Sequence, residues 1–227
     1  MRHEKSFQSS AAEFDYEKSA RKRDDDYSLK FFGLNKYLNR PLAALIVRAV
    51  FKTGVTPNQL SLASFIISLT GAFCFFKGRP LLFAFGGILA QVSSIVDCAD
   101  GMLARARDQR SEYGAYLDLV LDRVGEFFLM MGYTLGYFFY SGRLDLLILG
   151  FITVALYFLQ ICLFYLIKSY RRDLAKGNAG ENRSWMIFLM LLLGVFNRMD
   201  LGFYILFIVS SGVNLVLLFD FLRRKDA

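Results

Sequence analysis

Six stretches free of Lys, Arg, Asp and Glu occupy most of the chain after residue 59, at 60–76, 81–96, 127–140, 146–167, 185–196 and 201–219. A hydrocarbon layer about 30 Å thick needs roughly 20 residues of helix to cross it. The stretch at 146–167 meets that length unaided, and the one at 127–140 reaches it when extended backwards at helical pitch through Tyr113. The stretch at 185–196 has only 12 residues and also suits a re-entrant or interfacial segment. These runs leave little chain for a soluble domain, so the expected fold is an all-α integral membrane protein with six transmembrane helices. An apolar content of 55% with only three prolines excludes a disordered or collagen-like chain.

Basic residues set the orientation. With both termini cytoplasmic, the inner segments hold 22 Lys+Arg, while the opposite loops hold Lys77, Arg79, Arg143 and Arg198. That asymmetry satisfies the positive-inside rule and accounts for the net charge of +7 without nucleic acid as a partner. In a prokaryote the bilayer would be the cell membrane. Residues 1–28 read as a polar cytoplasmic arm, since they lack the apolar core of a signal peptide. Residues 29–227 form the membrane domain, which opens at 29–52 with a mixed apolar and basic segment expected to be an amphipathic helix in the interface.

Cys74, Cys98 and Cys162 have no paired spacing and read as small apolar residues rather than a disulfide or zinc set. The single histidine, His3, lies in the polar arm, which removes Ser-His-Asp and Cys-His catalysis.

The acids are distributed unevenly. Seven of the 20 fall between positions 97 and 126: Asp97, Asp100, Asp108, Glu112, Asp118, Asp122 and Glu126. A carboxylate within hydrocarbon costs on the order of 3 kcal/mol on insertion scales, so such a group needs a compensating charge. Asp97 and Asp100 are three apart, and Asp118 and Asp122 four apart, so each pair projects from one helical face. Two helix ends brought together would converge four hard oxygen ligands suited to Mg²⁺, Mn²⁺ or Ca²⁺, with room for two ions. Gly101 and Gly114 leave backbone surface open to a flat base or ribose, Ala104 is small, and Arg105 offers a fork for phosphate oxygens.

These residues form one pattern: Asp97-x-x-Asp100-Gly101-x-x-Ala104-Arg105, eight residues, Gly114, three residues, Asp118, three residues, Asp122. It resembles the signature of the CDP-alcohol phosphotransferase (phosphatidyltransferase) family at all eight positions over 26 residues. Thr56-Pro57-Asn58-Gln59, leading into the first span, is similar to the family's opening of its first transmembrane helix. The resemblance implies transfer of a phospho-alcohol from a CDP-alcohol to a second alcohol with release of CMP, in phospholipid biosynthesis. It implies Mg²⁺ (or Mn²⁺), two ions, on Asp97, Asp100, Asp118 and Asp122, with Asp122 also the general base. Gly101, Ala104, Arg105 and Gly114 would contact the cytidine and phosphates, and the assembly would be a homodimer.

The acceptor is read from the connection at 168–184. Lys168, Arg171, Arg172, Lys176 and Arg183 offer five cations for the phosphate of inositol phosphate or glycerol phosphate, although the positive-inside rule alone also accounts for them. The Gln91 to Asp97 segment is similar to the branch that handles inositol phosphates, including synthases of soluble di-inositol phosphate phosphate from CDP-inositol. A cation transporter is the rival from another class, because intramembrane carboxylates also line ion paths. Gly132 and Gly136 form a Gly-x-x-x-Gly pair for a helix contact, either within one subunit or between two.

Overall fold

A computed structural model describes residues 34–170 and 179–223, and these are helical nearly throughout. A π-helical turn at Asn35–Asn39 leads into α1 (Arg40–Val50). There follow α2 (Pro57–Phe76), α3 (Pro80–Ala106), α4 (Glu112–Ser141), α5 (Leu144–Tyr170), α6 (Ala179–Val195) and α7 (Met199–Arg223).

The helix boundaries follow from local chemistry. Thr56 is extended and caps α2: its hydroxyl accepts from the Gln59 amide, while the Gln59 side chain accepts from the Thr56 amide. Pro57 occupies the first turn, where its missing N–H costs nothing. Gly78, at a φ of 60°, makes the tight reversal into Pro80 and α3. Ser111 caps α4 by accepting from the Gly114 amide at 2.9 Å, and Gly142, at a φ of 69°, ends it.

Pro57–Phe76, Pro80–Ala106, Leu144–Ile167 and Met199–Phe219 are long and apolar enough to cross a membrane. The two remaining expected spans differ for identifiable reasons. α4 has 30 residues, but its first half carries Glu112, Asp118, Asp122, Arg123 and Glu126, so it is not uniformly apolar. α6 has 17 residues and begins six residues before Trp185, of which Arg183–Val195 is apolar. Phe73, Leu81, Ile208 and Leu215 stand exposed on the outer faces, as expected of surfaces that meet lipid rather than water. The chain is therefore an integral membrane protein with several apolar spans.

α2 packs against both α3 and α4, α3 against α6, and α5 against α7. Gly132 and Gly136 serve the α2–α4 contact within the subunit. A Cβ at Gly132 would overlap the Ala72 carbonyl, and one at Gly136 the Phe75 carbonyl.

α1 occupies part of the expected interfacial helix, and residues 29–33 lie outside the described residues. Its inner face, Ala43, Ala44 and Val47, is buried in a cluster with Val96, Ala99, Met102 and Leu103 of α3, while Leu42, Leu45 and Arg48 face outward. Arg107, just beyond α3, locks this helix in place. Its guanidinium donates to the carbonyls of Val50, Phe51, Thr53 and Val55, at 2.6 to 3.2 Å. Those are the orphan acceptors of a helix C-terminus and the loop that follows it. Arg107→Ala is expected to cost about 3 kcal/mol, since several charge-assisted bonds are lost together. Hydrogen exchange should show amides of α1 opening faster than those of α2. Unchanged protection in α1 would mean that its apolar face alone holds it.

Candidate metal centre and nucleotide cleft

The last three turns of α3 and the first four of α4 bring their acidic residues together beside the N-terminal half of α2. Oxygens of Asp97, Asp100 and Asp118 lie within 4.8 Å of one another. Asp100 is buried, and its Oδ2 accepts from the Ser61 hydroxyl of α2 at 2.5 Å. Asp97 Oδ1 is buried with no hydrogen-bond partner among the described residues. A buried carboxylate oxygen without a donor is costly unless a cation completes it. Three hard oxygen donors converging, with one carboxylate oxygen of Asp97 lacking a hydrogen-bond partner, fit a divalent ion such as Mg²⁺ or Mn²⁺.

Asp122, the fourth expected ligand, stands beside this trio and faces a different cation. Arg183 Nη1 donates to Asp122 Oδ2 at 2.6 Å and to Asp97 Oδ2 at 2.9 Å. Arg183 therefore sits inside the acidic centre rather than on an open basic loop. The reason is that α6 starts at Ala179, which places Arg183 within the helix and turns it inward. Of its companions, Lys168 lies in the last turn of α5, with nothing described of its side chain, and Arg171, Arg172 and Lys176 lie outside the described residues.

A cleft of about 260 Å³ opens beside Asp100 and Asp118. Gly101, Ala104, Arg105, Gly114, Asp100 and Asp118 line it, joined by Asn58 and Ser61 from α2. Thus all four residues expected at the nucleotide, and two of the expected ligands, share one wall. At Gly114 a Cβ would lie 2.9 Å from Ser111 Oγ and 3.0 Å from Asn58 Oδ1, so these side chains approach its backbone closely. At Gly101 a Cβ would meet the Arg105 guanidinium at 3.2 Å. Asp108 and Glu112 are not part of the centre. The first occupies the turn after α3 at a φ of 52°, and the second is exposed in the first turn of α4.

Ser61, Arg123, Tyr157 and Arg107 contribute contacts that pattern reading did not single out. A polar network joins the π turn to this region: Asn39 Nδ2 donates to Asn35 Oδ1 and to Ser94 Oγ, and Gln91 Nε2 donates to Asn39 Oδ1 at 2.6 Å. The Ser184 hydroxyl donates to Asn35 Oδ1, fastening the residue next to Arg183 to the N-terminal turn. Cys74, Cys98 and Cys162 form no disulfide among the described residues.

The fold and site together define a polytopic helical membrane protein with a carboxylate centre beside an open cleft. The pattern of the family described as CDP-alcohol phosphatidyltransferase matches residues 54–218, and the chain belongs to that family of transferases. It is 28% identical over 171 residues to an archaetidylinositol phosphate synthase of Pyrococcus horikoshii, covering 73% of this chain and 82% of that protein. It is 40% identical over 103 residues to a bifunctional IPC transferase and DIPP synthase of Rubrobacter xylanophilus, covering 45% of this chain but only 23% of that protein. The crystal structure of Mycobacterium tuberculosis phosphatidylinositol phosphate synthase with CDP-DAG bound shares the fold, at a TM-score of 0.65 and 19% identity, covering 79% of this chain and 92% of that one.

Proposed function

We propose that this chain transfers a phospho-alcohol group from a lipid CDP-alcohol to a phosphorylated polyol, releasing CMP, with inositol phosphate as the favoured acceptor and glycerol phosphate next. The observation that carries this reading is the convergence of Asp97, which has one orphaned carboxylate oxygen, with Asp100 and Asp118, two residues that also line the cleft with Gly101, Ala104, Arg105 and Gly114. The names of the Pyrococcus archaetidylinositol phosphate synthase and the mycobacterial phosphatidylinositol phosphate synthase support the acceptor. Exposed Tyr113, Tyr116 and Val120, on the same turns of α4 as the cleft residues Gly114 and Asp118, suit a donor with apolar chains.

In this reading Asp97, Asp100, Asp118 and Asp122 hold two divalent ions. Bound there, such ions would supply charge neutralisation for a pyrophosphate and for the leaving CMP oxygen. Arg105 grips phosphate oxygens, and the backbone at Gly101 and Gly114 borders the cytidine. The acceptor hydroxyl forms a new bond to the β-phosphorus while the bond from that phosphorus to the CMP oxygen breaks, and the hydroxyl proton passes to Asp122. Lys168, Arg171, Arg172 and Lys176 receive the acceptor's phosphate, while Arg183, the fifth cation of that set, is engaged by Asp97 and Asp122. The fold reads as six spans, with α4 and α6 completing the four long apolar helices. Both termini and the centre face the cytoplasm, and the assembly is a homodimer.

A soluble donor, CDP-inositol, is the second reading, favoured by the resemblance to bifunctional IPC transferase and DIPP synthases. Purified protein offered CDP-diacylglycerol, CDP-archaeol or CDP-inositol, each with inositol 1-phosphate, glycerol 3-phosphate, serine or inositol, separates these. CMP and a phosphorylated lipid from a lipid donor with inositol 1-phosphate are expected. Product from CDP-inositol alone would select the second reading. Absence of CMP from every pair, with cation flux in proteoliposomes, would select a transporter.

A further inference from the structure

Beneath the centre lies a second charged layer to which the transfer reaction assigns no part. Glu126, one turn beyond Asp122 on α4, is 1% exposed. Its Oε2 takes Arg123 Nη1 at 2.8 Å and the Tyr157 hydroxyl of α5 at 3.1 Å. Its Oε1 lies 2.9 Å from Arg183 Nε, a close charge contact without hydrogen-bond alignment. Arg183 is thus shared: Nε faces Glu126, and Nη1 bridges Asp97 and Asp122.

We infer that Glu126 is a positioning residue that restrains Arg183 and so limits its competition with a divalent cation for Asp97 and Asp122. This rests on the reading that those carboxylates hold the metal. A guanidinium is a rigid planar fork with one delocalised charge, so a carboxylate at Nε shares the charge that Nη1 presents to the two aspartates. Arg123 and Tyr157 hold Glu126 from its other oxygen, which keeps the anchor fixed independently of Arg183. In a buried site, water does not replace a lost partner cheaply, so the arginine's charge must find another carboxylate. Neutralising Glu126 leaves Arg183 to Asp97 and Asp122 alone, and the cation must displace a more tightly held competitor. Removing Arg183 has the opposite sign.

The test is Mn²⁺ titration of the purified full chain in detergent, with free Mn²⁺ read by electron paramagnetic resonance. Arg183→Ala is expected to tighten Mn²⁺ roughly tenfold and Glu126→Gln to weaken it roughly fivefold, within the usual range of site coupling. The double variant should bind like Arg183→Ala alone, because Glu126 acts through the arginine. Weaker Mn²⁺ binding in Arg183→Ala, no change in Glu126→Gln, or an undiminished Glu126→Gln effect in the Arg183→Ala background would overturn the inference. Should Glu126→Gln fail to fold, Tyr157→Phe loosens the same anchor. It should weaken Mn²⁺ about twofold in the wild type and leave Arg183→Ala unaffected, and an equal effect in both would overturn the inference. Failure of the wild type itself to bind Mn²⁺ would remove the metal reading and this inference with it, which separates that result from the others.

Discussion

Asp122→Asn is expected to lower the rate of CMP release by at least about 10³-fold while CDP-alcohol binding stays measurable. The size follows from the two parts proposed for this carboxylate, since loss of a general base alone costs about 10² to 10⁴. Binding persists because Gly101, Ala104, Arg105 and Gly114 line the cleft whereas Asp122 does not. Asp122 is distinct in the structure: it stands outside the trio of close oxygens and accepts from Arg183 at 2.6 Å. Asparagine keeps the shape and one acceptor, so the α4 face should remain in place. Retained turnover with Asp122→Asn would assign the base elsewhere. Loss of both binding and folding would make Asp122 structural.

Gly136→Val is expected to prevent folding, or to destabilise the protein by more than about 3 kcal/mol, because a Cβ placed against a backbone carbonyl has no rotamer to escape into. The Phe75 carbonyl occupies that position from α2. α2 carries Ser61, which bonds to Asp100, and also lines the cleft through Asn58, so a displaced α2–α4 contact reaches the centre as well. Little folded protein should be recovered in detergent, and the remainder should melt well below the wild type. Wild-type stability would mean that α2 and α4 do not approach this closely.

The helices were legible because their signals are local. Six uncharged runs locate α2 to α7, and the Thr56 to Gln59 capping box is visible as residue types in a row. The eight-residue pattern located the centre because helical periodicity brings positions three and four apart onto one face, and the structure does bring Asp97, Asp100 and Asp118 together. What escaped depends on partners distant along the chain. Arg183 looked like one cation of a loop, whereas its partners Asp97 and Asp122 are 86 and 61 residues away. Arg107 counted only toward orientation, because nothing in its neighbourhood announces four carbonyls more than 50 residues earlier. Glu126 continues the stripe of Gly114, Asp118 and Asp122 by one more turn. That stripe was the available signal, but Arg123, Tyr157 and Arg183 come from three helices and only the fold assembles them. The span at 127–140 appeared short because the charged half of the same helix faces the centre rather than lipid.

The most direct measurement is release of CMP from a CDP-alcohol by the purified protein, followed while the divalent cation is removed with chelator and then restored. Release should stop with chelator, return with Mg²⁺ or Mn²⁺, and be absent at every metal concentration in Asp100→Asn. CMP release that continues undiminished in chelator, or in Asp100→Asn, would contradict a metal-dependent transfer at this carboxylate centre.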